Sequence, residues 1–552
     1  MLNDMKRNIL SMLSLVAILF TSSCSDMMDI DNSHIAYDNE NRLDNANDSI
    51  YSVVGILAQL RQIADRTVIA GELRGDLMTV SQQYASTDLR SINSFEATES
   101  NKYAGRRDFY SVINNCNYAI SRMDTSITEG INKVMVPEYA QLKTLRAYTY
   151  WQMALMFGSV NYFTDPLISI DDSGVRFEKI GIDELAAKLI TELEPVSDAR
   201  PLDYGTVDGR NTSEMFYPAK MLLGDLYLYT NSYEKAAQAY YDLISARNLT
   251  VSQSYANYWQ TAARTGLNSN HPTAYANDVV TRVMFDSQLR AYHSQLGKLT
   301  YSETPSLLPV DAFVSEMAMR THFHTDNGQG ISRYFNGDTR GCAEFANGQM
   351  LPDAFGPAIV GTSSKRMLIT KFYNNLSGSV ADELEQRPLT SLALIHPSSV
   401  YLRYAEAINR LGRPTVAFAV LKYGLSRGVL ADTLCVDSNE VKNLPAYINF
   451  KETRFDNNIG TAARGCGLGI KLDRAQYIIP AGVDTTDYVE RAILQEMAAE
   501  TCFGGQRFFD LLRMSRHRPQ HPLFMAEIVS RKYDNADDML AKLKDINAWF
   551  MK

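Results

Sequence analysis

Tryptophan is scarce in this chain: three residues in 552, against 31 tyrosines. A recognition surface built mainly on stacked indoles has little material here. Tyrosine, with a flat apolar face and a polar tip, is the ring on offer for wet contacts. Cysteine is also sparse, and no C-x-x-C occurs. Apart from Cys24, the thiols are Cys116, Cys342, Cys435, Cys466 and Cys502, an odd set at wide spacing. That pattern is neither a disulfide framework nor a zinc site, so buried free thiols are expected. A basic block is missing and the net charge is −9, which argues against nucleic acid as a partner. G-x-S-x-G and H-E-x-x-H are absent, and "GCGLGI" (Gly465–Ile470) lacks both the G-x-G-x-x-G spacing and a P-loop lysine, so it reads as a turn.

Nor does any segment reach the ~20 apolar residues of a membrane-spanning helix. The nearest is the run from Ile9 to Phe20, broken by Ser11 and Ser14 and preceded by Lys6 and Arg7. A basic flank, a short apolar run and small residues make a secretory signal. Cys24 directly follows "TSS" and resembles the cysteine of a bacterial lipobox, which takes lipid on sulfur and becomes the mature N-terminus. Thr21 stands where a lipobox usually has Leu. The alternative is a plain cleaved signal with an incidental cysteine. Ser25 to Asp48 holds seven acidic residues and one basic, Arg42, too polar to order itself. As a flexible tether it would span roughly 25–30 Å root-mean-square. An acidic start after the lipid cysteine also resembles the export signal of surface lipoproteins in Bacteroidetes-type bacteria. The expected division is residues 1–23 as signal, 24–48 as tether and 49–552 as body.

The body reads as mainly α. "YAQLKTLRAYTYWQMALMFG" (Tyr139–Gly158) has helical apolar spacing with Gly158 as a stop, and "FYSVINNCNYAISRM" before it fits as an antiparallel partner. "YPAKMLLGDLYLYTNSYEKAAQAYYDLI" follows the tetratricopeptide pattern, with Leu223, Gly224 and Tyr227 on one helix and Ala236 and Tyr240 on the next. "VYLRYAEAINRLGRPTVAFAVLKYGL" repeats the register with Ala405, Ile408, Ala417 and Leu421. The two pairs are not tandem, so the expectation is one scaffold assembled from distant stretches, about 50–248 and 391–552. Between them, about 249–390, the texture is rich in Asn, Gly, Ser, Thr and Tyr. It implies irregular loops with a few short strands such as "RVMFDS" and "MLITKFY". Long loops on a rigid scaffold are where binding residues gather.

One more helix is expected over "ILQEMAAETCFGGQRFFDLLRMSR" (Ile493–Arg516). Here the chain resembles the SusD/RagB-type nutrient-binding lipoproteins. Their C-terminal signature is matched by Glu496, Glu500, Phe503, Gly505, Arg507, Phe509, Asp510, Leu511 and Arg513, with Gly504 in place of the family's usual Glu. "GELRGDLM" (Gly71–Met78) and the helical segments above also look like the family. The resemblance implies tetratricopeptide-like pairs on one side, a loop-rich ligand face on the other, and no catalysis or cofactor. It implies a partner, a SusC-type TonB-dependent outer-membrane transporter, which receives the captured oligosaccharide or, in some members, peptide.

Glu496 and Glu500 share one helical face and invite an acid–base reading. Arg507 and Arg513 lie nearby in sequence as neutralising partners, so a structural ion-pair network is the expectation. His322 and His324 in "THFHTD" would share a strand face, but no third metal ligand stands at suitable spacing. For the ligand, Trp259 is the tryptophan in loop texture, since Trp151 lies in the scaffold helix and Trp549 at the chain end. Tyr258, Tyr292 and Tyr334 are further ring candidates. Arg74, Asp76 and Asn93 are polar candidates on the early loops that help form the family's ligand face. The rival readings are peptide capture and a structural adaptor without a small-molecule ligand.

Overall fold

A computed structural model describes residues 46–168, 175–207, 210–251, 279–285, 293–325, 332–338, 340–344, 350–352, 354–358, 360, 364–372, 389, 391–465 and 477–552. Its first helices are α1 (Ala46–Gln59), α2 (Arg61–Leu73), α3 (Arg107–Arg122), α4 (Val136–Phe157) and α5 (Ile182–Leu193). α4 is buried on every side, because apolar and small residues occupy all its faces rather than one stripe. Pro137 sits in its first turn, where a missing N–H costs nothing. Gly158 ends it in the left-handed region at φ 74°. α3 runs antiparallel to it, as the sequence implies. Phe109 meets Phe157 at 6.4 Å, and Arg146 near mid-helix donates to Asn117 Oδ1 at 2.9 Å.

The tetratricopeptide-like pairs form where expected. α6 (Ala219–Tyr229) and α7 (Tyr233–Ala246) approach closely at Gly224, where a Cβ would collide with the Tyr240 ring. After α8 (Asp311–Met319) come α9 (Pro397–Arg410) and α10 (Pro414–Lys422), with Ala405, Ile408, Ala417 and Leu421 fully buried. α9 packs on α7, so the two pairs stack despite their separation in sequence. Asp225 joins them: it accepts from the Tyr240 hydroxyl at 2.6 Å and from Arg403 Nη1 at 2.6 and 2.7 Å.

Between α7 and α9 lie short strands. Thr281–Met284 pairs with Ser391–Ile395, Thr321–Thr325 with Ser332–Asn336, and Phe355–Ala358 with Arg366–Ile369, all antiparallel. Leu307–Pro309 instead reaches back to Met78–Val80, just after α2.

The C-terminal stretch differs from the single helix expected over Ile493–Arg516. It is two helices, α11 (Thr485–Thr501) and α12 (Arg507–Arg516), followed by α13 (Leu523–Ser530) and α14 (Ala536–Leu543). The break has a physical cause. Phe503 at φ 60° and Gly505 at φ 88° turn the chain into conformations a helix does not contain. The turn is held against α2. A Cβ on Gly71 would collide with the Gly505 carbonyl, and one on Gly505 would lie 2.8 Å from Val68 Cα. Gly505 N–H donates to Glu72 Oε1 at 2.7 Å, across 433 residues. Arg507 then pairs with Asp76, its Nε 2.5 Å from Oδ1 and its Nη2 2.9 Å from Oδ2.

Glu72 is fully buried and its Oε2 has no hydrogen-bond partner. Burial pushes its carboxyl up to about 7. A raised carboxyl stabilises the fold at low pH and loses that contribution as pH rises from the unfolded value, near 4.5, through 7. The wild type should therefore lose about 3 kcal/mol relative to Glu72→Gln between pH 4 and 8, at ~1.4 kcal/mol per pH unit. Urea unfolding of both proteins at each pH measures it, and parallel profiles would refute a neutral Glu72.

Candidate functional site

The sequence-derived candidates in the described residues separate into two roles. Arg74 is buried and spends its guanidinium on the frame. It donates to Ala70 O at 2.9 Å, Trp549 O at 2.9 Å and Met156 O at 3.3 Å, and lies 4.0 Å over the Phe508 ring. The carbonyls of Ala70 and Met156 lie in the last turns of α2 and α4, where helices leave acceptors unsatisfied, and that of Trp549 ends the short helical turn Ile546–Trp549. Arg74 therefore caps helix ends rather than facing solvent. Asp76 is taken by Arg507. Asn93 is buried, and its carbonyl accepts from the Tyr533 hydroxyl. Arg74 and Asp76 precede the loop at residues 81–86 and Asn93 follows it, and Arg74 and Asn93 are buried while Asp76 is taken by an ion pair.

That loop, residues 81–86, is the exposed part. Ser81 Oγ accepts from the backbone of Gln83 at 3.3 Å and of Tyr84 at 3.2 Å. Arg90 donates to Ala85 O at 3.1 Å and also to the carbonyl of Gln82. Ser306 ties on the neighbouring strand, donating through Oγ to Tyr84 O at 3.1 Å. Held this way, the loop projects the amides of Gln82 and Gln83 into solvent and leaves Tyr84 half-buried. Arg366 lies 6.0 Å over the Tyr84 ring and donates to Glu303 O at 2.6 Å. Its Nε is buried without a partner. Two exposed amides on this loop thus neighbour a half-buried ring with a guanidinium over it. Sequence reasoning missed it because Arg366 comes from another strand, and "SQQY" carries no motif. The local signal was a Tyr beside two Gln on an early loop.

The signature carboxylates form an ion network, though not with the partners expected. Glu496 meets Arg320 at 3.2 Å and Arg340 at 2.9 Å; Glu500 meets Arg340 at 2.8 Å and Arg464 at 3.2 Å. Asp338 completes it, 2.6 Å from Arg340 and 3.0 Å from Arg320. Arg507 and Arg513 are engaged elsewhere, Arg507 with Asp76 and Arg513 with Glu406 at 2.8 Å and Asp510 at 2.9 Å. Sequence proximity misled here: the break after Thr501 swings α12 away from α11's carboxylates. Burial alone would raise the Glu500 carboxyl, but Arg464 and Arg340 hold it below the ordinary carboxylate range. A carboxylate so held carries no proton to give at neutral pH.

Cys24, Tyr258, Trp259 and Tyr292 lie outside the described residues. In backbone register Tyr334, in the Ser332–Asn336 strand, pairs with Phe323, and His322 and His324 flank Phe323 in the partner strand. Cys116 and Cys502 are buried, and Cys435 is half-buried. Among the described residues no group of three or more His, Cys, Asp or Glu is placed to hold a metal ion, and no helix is long and apolar enough to cross a membrane.

No family model matches the chain. A SusD-like protein of Formosa agariphila is 21% identical over 459 residues, 81% of this chain and 79% of that one. Among solved structures, a SusD superfamily protein from Bacteroides vulgatus superposes with a TM-score of 0.58 at 14% identity, covering 90% of this chain and 92% of its own. Surface glycan-binding protein A from Bacteroides uniformis gives 0.55 at 16% identity, over 91% and 95%. A SusD-like carbohydrate binding protein from Bacteroides vulgatus gives 0.53 at 16%, over 85% and 84%. The chain therefore shares the fold of the SusD superfamily structures and is similar in sequence to a SusD-like protein.

Proposed function

We propose that this protein captures an oligosaccharide at the cell surface and passes it, unaltered, to a SusC-type TonB-dependent transporter in the outer membrane. The observation that carries the reading is the patch of Gln82, Gln83, Tyr84 and Arg366. A sugar ring has an apolar face that lies on a flat side chain, and hydroxyls that need donors and acceptors together. Each neutral hydrogen bond nets only ~0.5–1.5 kcal/mol, so several must converge. The patch offers that convergence, and Trp259, Tyr258, Tyr292 and Tyr334 are proposed to extend it. Relatives of the same fold include proteins described as glycan-binding and carbohydrate-binding, which favours sugar. The low tryptophan count favours the second reading, a peptide held through its main chain.

Retardation on affinity gels cast with single polysaccharides tests this. At least one glycan should slow the protein, and Tyr84→Ala should weaken that binding roughly tenfold, the scale of one ring contact. Retention by peptide digests alone would select the second reading, and retention by neither would leave a structural adaptor.

The lipid anchor on Cys24 and the acidic tether over residues 24–48 belong to the same proposal. Two or more acyl chains hold a protein stably at a bilayer. Cys24→Ser should shift the protein from the membrane to the soluble fraction on cell fractionation. Continued membrane association would rule the anchor out.

The non-catalytic role rests on the pairing of Glu496 and Glu500 with arginines. Glu496→Gln should destabilise the fold by about 3–5 kcal/mol, the cost of stranding a buried charge, as read from the denaturation midpoint. A folded variant that had lost a measurable glycan-cleaving turnover of the wild type would instead make Glu496 catalytic.

A further inference from the structure

We propose, building on the capture reading above, that the glycan held at the Tyr84 loop is acidic and sets its carboxylate or sulfate groups against Arg366. Arg366 opens the strand Arg366–Ile369 and lies 6.0 Å over the Tyr84 ring. Its Nη2 donates to the backbone carbonyl of Glu303 at 2.6 Å, and its Nε is buried without a partner. Among the described residues it meets no carboxylate. Its Nη1 makes no hydrogen bond there and is not buried, so two hydrogens on Nη1 and one on Nη2 stay available. A guanidinium edge of that shape takes two oxygens of one carboxylate or one sulfate.

The surroundings do not supply the missing negative charge. Arg90, the clamp of the same loop, also spends its guanidinium on carbonyls, those of Ala85 at 3.1 Å, Ser81 at 3.4 Å and Gln82. Lys365, exposed and next to Arg366, makes no ion pair among the described residues. Asp88, in the same helix as Arg90, and Glu303, whose carbonyl Arg366 uses, pair with none of these three cations. Arg146, Arg282 and Arg403, by contrast, each meet a carboxylate, those of Glu192, Glu214 and Asp225.

A carbonyl solvates a cation without cancelling its charge. Three positive charges without an ion-pair partner therefore stand at and beside the loop, on a chain whose net charge is −9. A neutral glycan would leave them unanswered. An acidic one supplies the counter-charge, while the exposed amides of Gln82 and Gln83 serve its hydroxyls. The acidic remainder of the protein repels a polyanion, so retention of one has to be local.

Affinity gels cast with polygalacturonate, alginate, κ-carrageenan, amylopectin or xyloglucan test the proposal on the full chain. At least one of the first three should retard it, the uronates if the group is a carboxylate and the carrageenan if it is a sulfate. Arg366→Gln should weaken that retardation tenfold or more, and Arg366→Lys less, since an ammonium keeps the charge and loses the fork. Raising the salt from about 0.05 M to about 0.5 M, which brings the screening length well below ~10 Å, should weaken it as well. The thermal midpoint checks the fold of each variant, and the salt series on the wild type carries the test if a variant does not fold. Retardation by amylopectin or xyloglucan alone would overturn the acidic ligand and leave glycan capture standing. Retardation by no polysaccharide, with or without binding to poly-L-glutamate, would overturn both. Retention of an acidic polymer that is indifferent to Arg366→Gln or to salt would also overturn it.

Discussion

Gly71 and Gly505 face each other with no side chain between them, and much of the structure depends on that contact. One glycine lies in the second helix, the other in the turn that splits the C-terminal signature. Their approach lets Gly505 N–H reach Glu72 and brings Arg507 onto Asp76. Gly75 allows the same closeness, since a Cβ there would lie 2.9 Å from Arg507 Cγ. The early motif and the late signature are therefore two halves of one joint. Closing a loop of this length is entropically costly but grows only slowly with its size, and a dense, specific contact is an efficient way to hold it. Lys532, buried beside the joint, caps Leu73 O and Met78 O, and burial lowers its ammonium to about 7.

The signature carboxylates do a related task at longer range. Arg320, Arg340 and Asp338 come from the strand-bearing region, Arg464 from the stretch before α11, and Glu496 and Glu500 from α11 itself. Three buried or half-buried cations meet three buried anions, with the more exposed Glu316 on the outer side of Arg320 at 3.3 Å. Gly465 explains part of "RGCGLGI": a Cβ there would press on the Asp338 carboxylate at 2.5 Å. Such a network is weak evidence for stability, because desolvation offsets attraction. Its use is geometric: arginine forks accept few arrangements, and the loop-rich region is docked on the scaffold in one of them.

Local pattern made the helices legible. α4 could be read from its apolar spacing and its closing glycine. The tetratricopeptide-like pairs could be read from small residues set against tyrosines, as Gly224 against Tyr240 shows. What pattern could not supply was partnership across the chain. Arg507 and Arg513 sit close in sequence to Glu496 and Glu500, yet two residues at positive φ, Phe503 and Gly505, send α12 elsewhere. Arg74 looked like a loop residue with a free charge, because nothing in "GELRGDLM" reveals the carbonyls of Met156 and Trp549 waiting for it. The patch at Tyr84 was hidden for the same reason, as half of it arrives from residue 366.

These constraints converge on the loop that carries the patch. Arg74 and Asp76 spend their charged groups on the frame and Asn93 is buried, so none of them offers its polar group to a ligand. Spending them fixes the loop's position. Arg74 holds the end of α2 against the end of α4, Met78–Val80 is paired with Leu307–Pro309, and Arg90 clamps the turn from below. A loop ordered before a ligand arrives loses little conformational entropy on binding. That matters for a ligand whose hydrogen bonds each contribute little, since ordering one long side chain costs ~0.5–1.5 kcal/mol, as much as one such bond returns. The polar residues expected as ligand contacts thus hold the loop in place, and under the proposed reading they would serve recognition only indirectly.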